Sequence, residues 1–337
     1  MSRKKNMIVY LMFLFLILLF VPGCWRKRNS QQEHAFLPIR QYVEAAKLKE
    51  NNENQKAIEL LTNAVEKDKS FSLGYSLLGD IYQDMQYYSR SASSYENAIQ
   101  INPWSFHDHF NLGKVYYAMG RFTQAREAYL KAIAVTPDSF EANTGVARSC
   151  YKIQDYKNAL IYANKANEIE PARSNVQKLL GDIFKVQKNY DKAVASYKRS
   201  LEINENNPET IVALAVTYLE QARNLEAKEL LLRAVEIKPD FNLAYQYLGY
   251  CYLQLRNIEK SIESYKRAIL IDGNDWRAHK GLGSAYMLKG IMEKQQKMID
   301  MAIEQWRESL SINPEQPQHE QLKRAILKYT LMELRRF

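Results

Sequence analysis

Residues 112–137 read LGKVYYAMGRFTQAREAYLKAIAVTP, and the pattern returns every 34 residues. One step back lies LGDIYQDMQYYSRSASSYENAIQINP. Four steps forward give VARSCYKIQDYKNALIYANKANEIEP, LGDIFKVQKNYDKAVASYKRSLEINE, LAVTYLEQARNLEAKELLLRAVEIKP and LGYCYLQLRNIEKSIESYKRAILIDG, with no slip of phase. A weaker copy occupies 38–71 and an altered one begins at Trp276. With units starting at 38, 72, 106, 140, 174, 208, 242 and 276, position 8 is always alanine or glycine, from Ala45 to Gly283. Positions 20 and 27 are always alanine or serine, from Ala57 and Ala64 to Ala302 and Ser309. Large side chains recur at positions 7, 11 and 24, as in Leu112, Tyr116 and Tyr129. Spacings of three and four place such groups on one helix face. The pattern therefore predicts two helices per unit, with small residues letting their backbones approach and aromatics filling the space between pairs. Proline at position 32 (Pro103, Pro137, Pro171, Pro239, Pro314) is expected to end each second helix. Lys69, Glu205 and Gly273 stand there instead in three units. One such unit cannot bury its apolar face alone, so stability must come from stacking.

This pattern resembles the tetratricopeptide repeat over residues 38–316. The resemblance implies an all-α, right-handed solenoid of about eight helix-turn-helix units. In residues 317–337, Leu322, Ile326, Tyr329 and Met332 or Glu333 fall at helical spacing, which predicts a capping helix with its charges outward. The last unit departs from the period: Gly283 and Ala302 are 19 residues apart where the others show 12. Seven extra residues are nearly two turns, so the hairpin is expected to grow by roughly 10 Å. The added stretch GIMEKQQKMIDM is rich in methionine. It suits either packing on itself and the terminal helix or an adaptable docking knob.

The N-terminus carries a different signal. Arg3, Lys4 and Lys5 precede an uncharged apolar run, and VPGC (21–24) closes it. Basic, apolar and small-residue regions in this order describe an export signal. VPGC resembles the lipobox of bacterial lipoproteins, with Val21, Gly23 and Cys24 matching and Pro22 an unusual occupant. That resemblance implies cleavage after residue 23, a lipid on Cys24 and a polar linker (24–37). A cleaved signal without lipid and an uncleaved membrane anchor remain as alternatives, because Met7 to Trp25 approaches the ~20 residues a spanning helix needs. Each version places the repeats outside the cytoplasm. Trp25 after the cysteine, by the same resemblance, implies the periplasmic face of the outer membrane. Loss of residues 1–23 removes Arg3, Lys4 and Lys5 and lowers the formal charge from +9 to +6. So mild a charge outside the cytoplasm suits acidic protein, glycan or lipid rather than nucleic acid. Cys150 and Cys251 are the remaining cysteines, too few for a disulfide scaffold.

Signals for catalysis are weak. Gly281 and Gly283 lack the preceding strand of a phosphate loop. Asp272, Asn274 and Asp275 in DGND lack the other ligands of a calcium loop. His107 and His109 point in different directions on a helix, and Cys150 and Cys251 take core positions. No enzyme activity, metal or cofactor is expected.

Surface is what remains. The resemblance implies partner binding on the concave face, at positions 2, 5, 9, 12 and 13 of the first helices. The acidic-tail clamp of chaperone-binding members needs lysine at position 5 and asparagine at position 9; Lys178, the one position-5 lysine with other clamp-like company, has Asp182 at position 9, so that clamp is absent. Units three to five offer a basic and aromatic zone: His107, Phe110, Lys114, Tyr117, Arg148, Tyr151, Lys152, Lys178 and Lys185. Cations interleaved with aromatics suit an acidic segment or a glycan. Units six to eight offer an apolar zone: Val212, Val216, Leu219, Leu243, Tyr250, Leu253 and Met287. An apolar groove suits an amphipathic segment, or contact with a second copy of the chain. The expected role is a membrane-tethered adaptor for an envelope machine. The alternatives are a substrate-recruiting subunit of a separate enzyme and a self-assembling structural protein.

Overall fold

The computed structural model describes residues 37–334. The apolar N-terminal run, Cys24 and the linker to residue 36 lie outside them, as do the side chains of Met332 and Glu333. Among the described residues every regular element is a helix. They are α1 (37–50), α2 (Asn54–Lys67), α3 (Ser72–Asp84), α4 (Tyr88–Ile101), α5 (Phe106–Ala118), α6 (Phe122–Val135) and α7 (Phe140–Lys152). Then follow α8 (Tyr156–Ile169), α9 (Ser174–Val186), α10 (Tyr190–Ile203), α11 (Pro208–Glu220) and α12 (Asn224–Ile237). The last are α13 (Asn242–Gln254), α14 (Ile258–Ile271), α15 (Trp276–Glu293), α16 (Gln296–Ile312) and α17 (His319–Leu334). The chain divides into two compact bodies between Asp155 and Tyr156, inside unit four. In the first, α2 to α7 each pack on the next; in the second, α9 to α17 do so.

The small positions are where the helices meet. Every alanine at positions 8, 20 and 27 is fully buried. Where serine replaces alanine, its hydroxyl finds a carbonyl across the contact. Ser91 and Ser261 donate to the Gly79 and Gly249 carbonyls at 2.8 Å. Ser200 and Ser309 donate to those of Ser174 and Trp276 at 2.8 and 2.7 Å. The substitution therefore leaves no orphaned buried donor. Gly79 and Gly181 face the rings of Tyr95 and Tyr197 so closely that a Cβ would sit 2.6 and 2.5 Å from them.

Proline does not set the helix ends. Second helices stop at position 30 whether proline follows (Ile101, Val135) or Lys69, Glu205 or Gly273 does (Lys67, Ile203, Ile271). In each case the next N–H reaches the position-27 carbonyl, as Asp68 does to Ala64 at 2.9 Å and Asn204 to Ser200 at 3.0 Å. Between the two helices of a unit the chain turns through a left-handed residue at position 15: Asn52, Gln86, Gly120, Gln154, Lys188, Ala222 and Arg256, with φ from 57° to 73°. Only one of these is glycine, so the sequence gives little warning of the turn.

The insertion of unit eight is shared between both arms. Helix α15 has 18 residues where α13 has 13, and α16 has 17 where α14 has 14. Each arm thus grows by about 4–8 Å, less than if one arm took all seven residues. Met287 is buried, Met298 and Met301 pack against the last core, and Ile291 and Met292 are exposed. Helix α17 buries Leu322 and partly buries Ile326 and Tyr329 against that core. It also exposes Leu327 and Leu331, so its outer face is not purely charged as the sequence led us to expect.

Two substitutions test this architecture by thermal unfolding. Ala193→Leu, at a fully buried contact, should cost about 1–3 kcal/mol through overpacking. Ala222→Gly should stabilise by about 0.5–1 kcal/mol, because φ of 57° is strained for any residue with a Cβ.

Candidate protein-binding surface

In the first body, α5 carries His107, Phe110, Lys114 and Tyr117, and α7 carries Arg148, Tyr151 and Lys152. The structure brings the two helices together through Arg148, whose guanidinium lies 5.2 Å from the Tyr117 ring. Phe110 stacks on Phe106 at 5.6 Å, with the Lys114 ammonium 5.8 Å from the Phe110 ring. Lys114 donates to neutral Asn111 at 3.2 Å, and among the described residues its charge meets no carboxylate within ion-pair distance.

His107 belongs to a polar bolt between α3 and α5. Its Nε2 lies 3.3 Å from Asp80 and its Nδ1 3.2 Å from Asp108. The Ser76 hydroxyl donates to Asp108, and the Tyr95 hydroxyl donates to Asp80 at 2.6 Å. Hydrogen bonding to Asp108 raises the His107 imidazole above its ordinary 6.5; burial opposes this and Asp80 adds to it. Burial pushes the Asp108 carboxyl up, but hydrogen bonds with His107, Ser76 and Ser105 outweigh it and hold that carboxyl below its ordinary value. His109 turns away, with Nε2 2.9 Å from the Pro103 carbonyl. Asn143 and His279, also at position 4, reach the Pro137 and Gly273 carbonyls in the same way, at 3.0 and 3.1 Å. These side chains latch the turns between units. Among the described residues no cluster of metal-ligating side chains forms. Burial pushes both the Cys150 and Cys251 thiols up to about 11, which makes them poor nucleophiles.

In the second body, α9 carries Lys178 and Lys185. Lys178 pairs with Asp182 at 2.8 Å, so its charge is already spent. Asp182 also accepts from the Tyr197 hydroxyl at 2.7 Å. The apolar zone needs a larger correction. Val212, Val216 and Met287 are only 2%, 8% and 6% exposed and belong to the core, because neighbouring helices cover them. Leu219 and Leu253 pack partly against the same clusters. Leu243 and Tyr250 remain open, at 40% and 44%.

Beside Tyr250, α13 and α15 enclose a groove of about 440 Å³ lined by Gln246, Tyr247, Tyr250, Leu253, Trp276, Arg277, Lys280, Gly281 and Ser284, with Tyr265 of α14 at its floor. Sequence reasoning missed most of it. Arg277, Lys280 and Ser284 sit at positions 2, 5 and 9, within the concave set, whereas Tyr247 and Gly281 sit at position 6, outside it.

Family models described as tetratricopeptide repeat match residues 74–103, 110–174, 187–249 and 243–275, together more than half of the chain. The chain belongs to the tetratricopeptide repeat family. It is similar to anaphase-promoting complex subunit 3 of Schizosaccharomyces pombe, 24% identical over 128 residues, 38% of this chain and 19% of that protein. It is also similar to protein O-mannosyl-transferase TMTC1 of Homo sapiens, 24% identical over 163 residues, 48% of this chain and 17% of that one. The chain thus spans less than a fifth of either relative. Among solved structures, that of an APC/C hetero-tetramer, Cut9-Hcn1, matches with a TM-score of 0.60 at 18% identity, covering 81% of this chain and 52% of that chain. At that identity the likeness is one of fold.

Within this tetratricopeptide repeat fold the position-24 tyrosine takes two forms. Tyr95 and Tyr197 donate to an aspartate at position 9. Tyr129 and Tyr265 have Lys114 and Tyr250 at position 9 instead, and each ring slides against a glycine at position 6 of the next unit. A Cβ on Gly145 or Gly281 would lie 2.8 or 2.3 Å from the ring.

Two measurements follow. Tyr95→Phe and Tyr197→Phe should each lose about 1 kcal/mol, whereas Tyr265→Phe should lose almost nothing because its hydroxyl has no hydrogen-bond partner among the described residues. Stability from His107 is complete below pH 6.5 and is lost as pH rises through its raised folded value. A His107→Gln variant should remove that decline from the pH profile of thermal unfolding; an unchanged profile would contradict the bolt.

Proposed function

We propose that the protein is a non-enzymatic, membrane-tethered adaptor that assists assembly of a bacterial envelope complex, of the pilus or secretion, cell-wall or exopolysaccharide kind. The observation that carries this reading is the VPGC tetrad closing an apolar run, directly ahead of a chain that is almost entirely repeats. A lipid on Cys24 anchors the protein at the periplasmic face of the outer membrane. The thirteen residues of the linker, WRKRNSQQEHAFL, reach at most ~45 Å, so a membrane-confined partner meets the repeats at high effective concentration. Partner segments bind the first-helix surface, where Arg148 on Tyr117 and the Tyr250 groove combine cations with aromatic faces. A second reading, a substrate-recruiting subunit of an enzyme, draws support from the similarity to an O-mannosyl-transferase.

Crosslinking of the full-length protein in its own cells, beside a Leu243→Asp/Tyr250→Asp variant, tests the adaptor role. A defined envelope complex should be captured and lost in the variant; co-purification of one catalytic chain in fixed ratio would favour the second reading, and capture of the protein alone would favour self-assembly. Metabolic fatty-acid labelling should mark the wild type and not Cys24→Ser. An unlabelled wild type that stays in the membrane would indicate an uncleaved anchor.

A further inference from the structure

Resting on the protein-binding reading above, one groove commits to a particular ligand chemistry. Two cations line the space between α13 and α15, and no carboxylate lines it. Among the described residues neither cation meets a carboxylate within ion-pair distance. The Arg277 guanidinium lies over the Trp276 ring, 4.3 Å from its centroid. Among the described residues the Lys280 ammonium donates to neutral oxygens, the Pro317 carbonyl and the Gln318 Oε1, both at 3.2 Å. Burial lowers the Lys280 pKa, with no anion to offset it. Asp275 is not among the lining residues: its Oδ1 caps α15, accepting from the Arg277 and Ala278 N–H groups at 2.9 and 3.1 Å, and its Oδ2 is buried without a hydrogen-bond partner among the described residues.

The floor supplies a donor. Tyr265 is 3% exposed, yet it lines the groove and has no hydrogen-bond partner among the described residues. Its counterparts Tyr95 and Tyr197 each donate to a carboxylate on their own unit. In unit seven that carboxylate is replaced by Tyr250, and Gly281 gives the ring room: a Cβ there would lie 2.7 Å from the hydroxyl oxygen. Position 9 of unit seven thus offers Tyr265 no counterpart of Asp80 or Asp182.

We infer that this groove binds a peptide segment of a partner protein through an acidic side chain, whose carboxylate is held by Lys280, Arg277 and the Tyr265 hydroxyl, while a neighbouring apolar side chain lies against Tyr247, Tyr250 and Trp276. The carboxylate completes the tyrosine–carboxylate pair that unit seven lacks, and it neutralises the cations. The apolar neighbour is held by the aromatic walls.

The test uses full-length protein in detergent and fluorescent hexapeptides blocked at both ends, so that the one ionisable group is the chosen side chain. Four pools fix Glu, Gln, Lys or Phe at the centre, with flanking positions randomised over Leu, Val and Phe. By fluorescence anisotropy the Glu pool should bind about tenfold more tightly than the Gln pool, the scale of a charge-assisted hydrogen bond. Lys280→Met should erase that preference, and Tyr265→Phe, which keeps the ring, should reduce it several-fold. Lys198→Met, exposed on α10 and outside the groove lining, should leave it unchanged. Thermal melts establish that each variant is folded.

Equal binding of the Glu and Gln pools, or a preference that survives Lys280→Met, overturns the assignment. If the pools bind equally and Tyr250→Asp abolishes binding, the groove still docks peptide, so the general reading stands while the carboxylate falls. Absence of binding by all pools also overturns it, leaving the adaptor reading to the crosslinking experiment.

Discussion

Close approach of helix backbones at three small positions per unit is the constraint on which the structure depends. Fully buried alanines at positions 8, 20 and 27 keep the backbones close, and an interior packed at crystal-like density leaves little room for a large side chain there. The aromatic rings at positions 11 and 24 occupy the space this approach creates, which is why Gly79 and Gly181 press against Tyr95 and Tyr197. Helix ends are consequences of the same contact. The stop at position 30 is unchanged where Lys69, Glu205 or Gly273 replaces proline, so proline reinforces a boundary that packing has already drawn.

Polar groups follow the geometry so imposed. Serines at small positions donate to carbonyls brought within reach by the same approach. Position-4 side chains latch the inter-unit turns, which accounts for His109 and His279 without any metal. The His107 bolt joins two successive first helices through Asp80 and Asp108. Variation enters where this accounting is left incomplete. Unit seven has its tyrosine without its aspartate, and the result is an open groove with cations at its rim rather than a closed internal hydrogen bond.

The two zones suggested by the concave positions fared differently. Arg148, Tyr117, Lys114 and Phe110 do form an interleaved surface. Lys178, by contrast, is spent on Asp182, a partner at the spacing one helical turn allows and visible in the sequence. Val212, Val216 and Met287 read as surface by position number but are core, because neighbouring helices cover those faces. A position number fixes the direction of a side chain from its own helix; exposure depends on what the next helix places over it.

The sequence alone determined the period, the pairing of helices, the small contact positions and the family, because these follow from a pattern that recurs without slipping along one chain. It also carries the VPGC tetrad, which lies outside the described residues. Tertiary structure alone decided the left-handed turns at residues such as Ala222, the sharing of the insertion between α15 and α16, and the groove over Tyr265. Each of these depends on distances between residues from different helices. Whether a tyrosine hydroxyl is satisfied, a lysine neutralised or a valine covered is a property of neighbours brought together by stacking, and no local pattern records it.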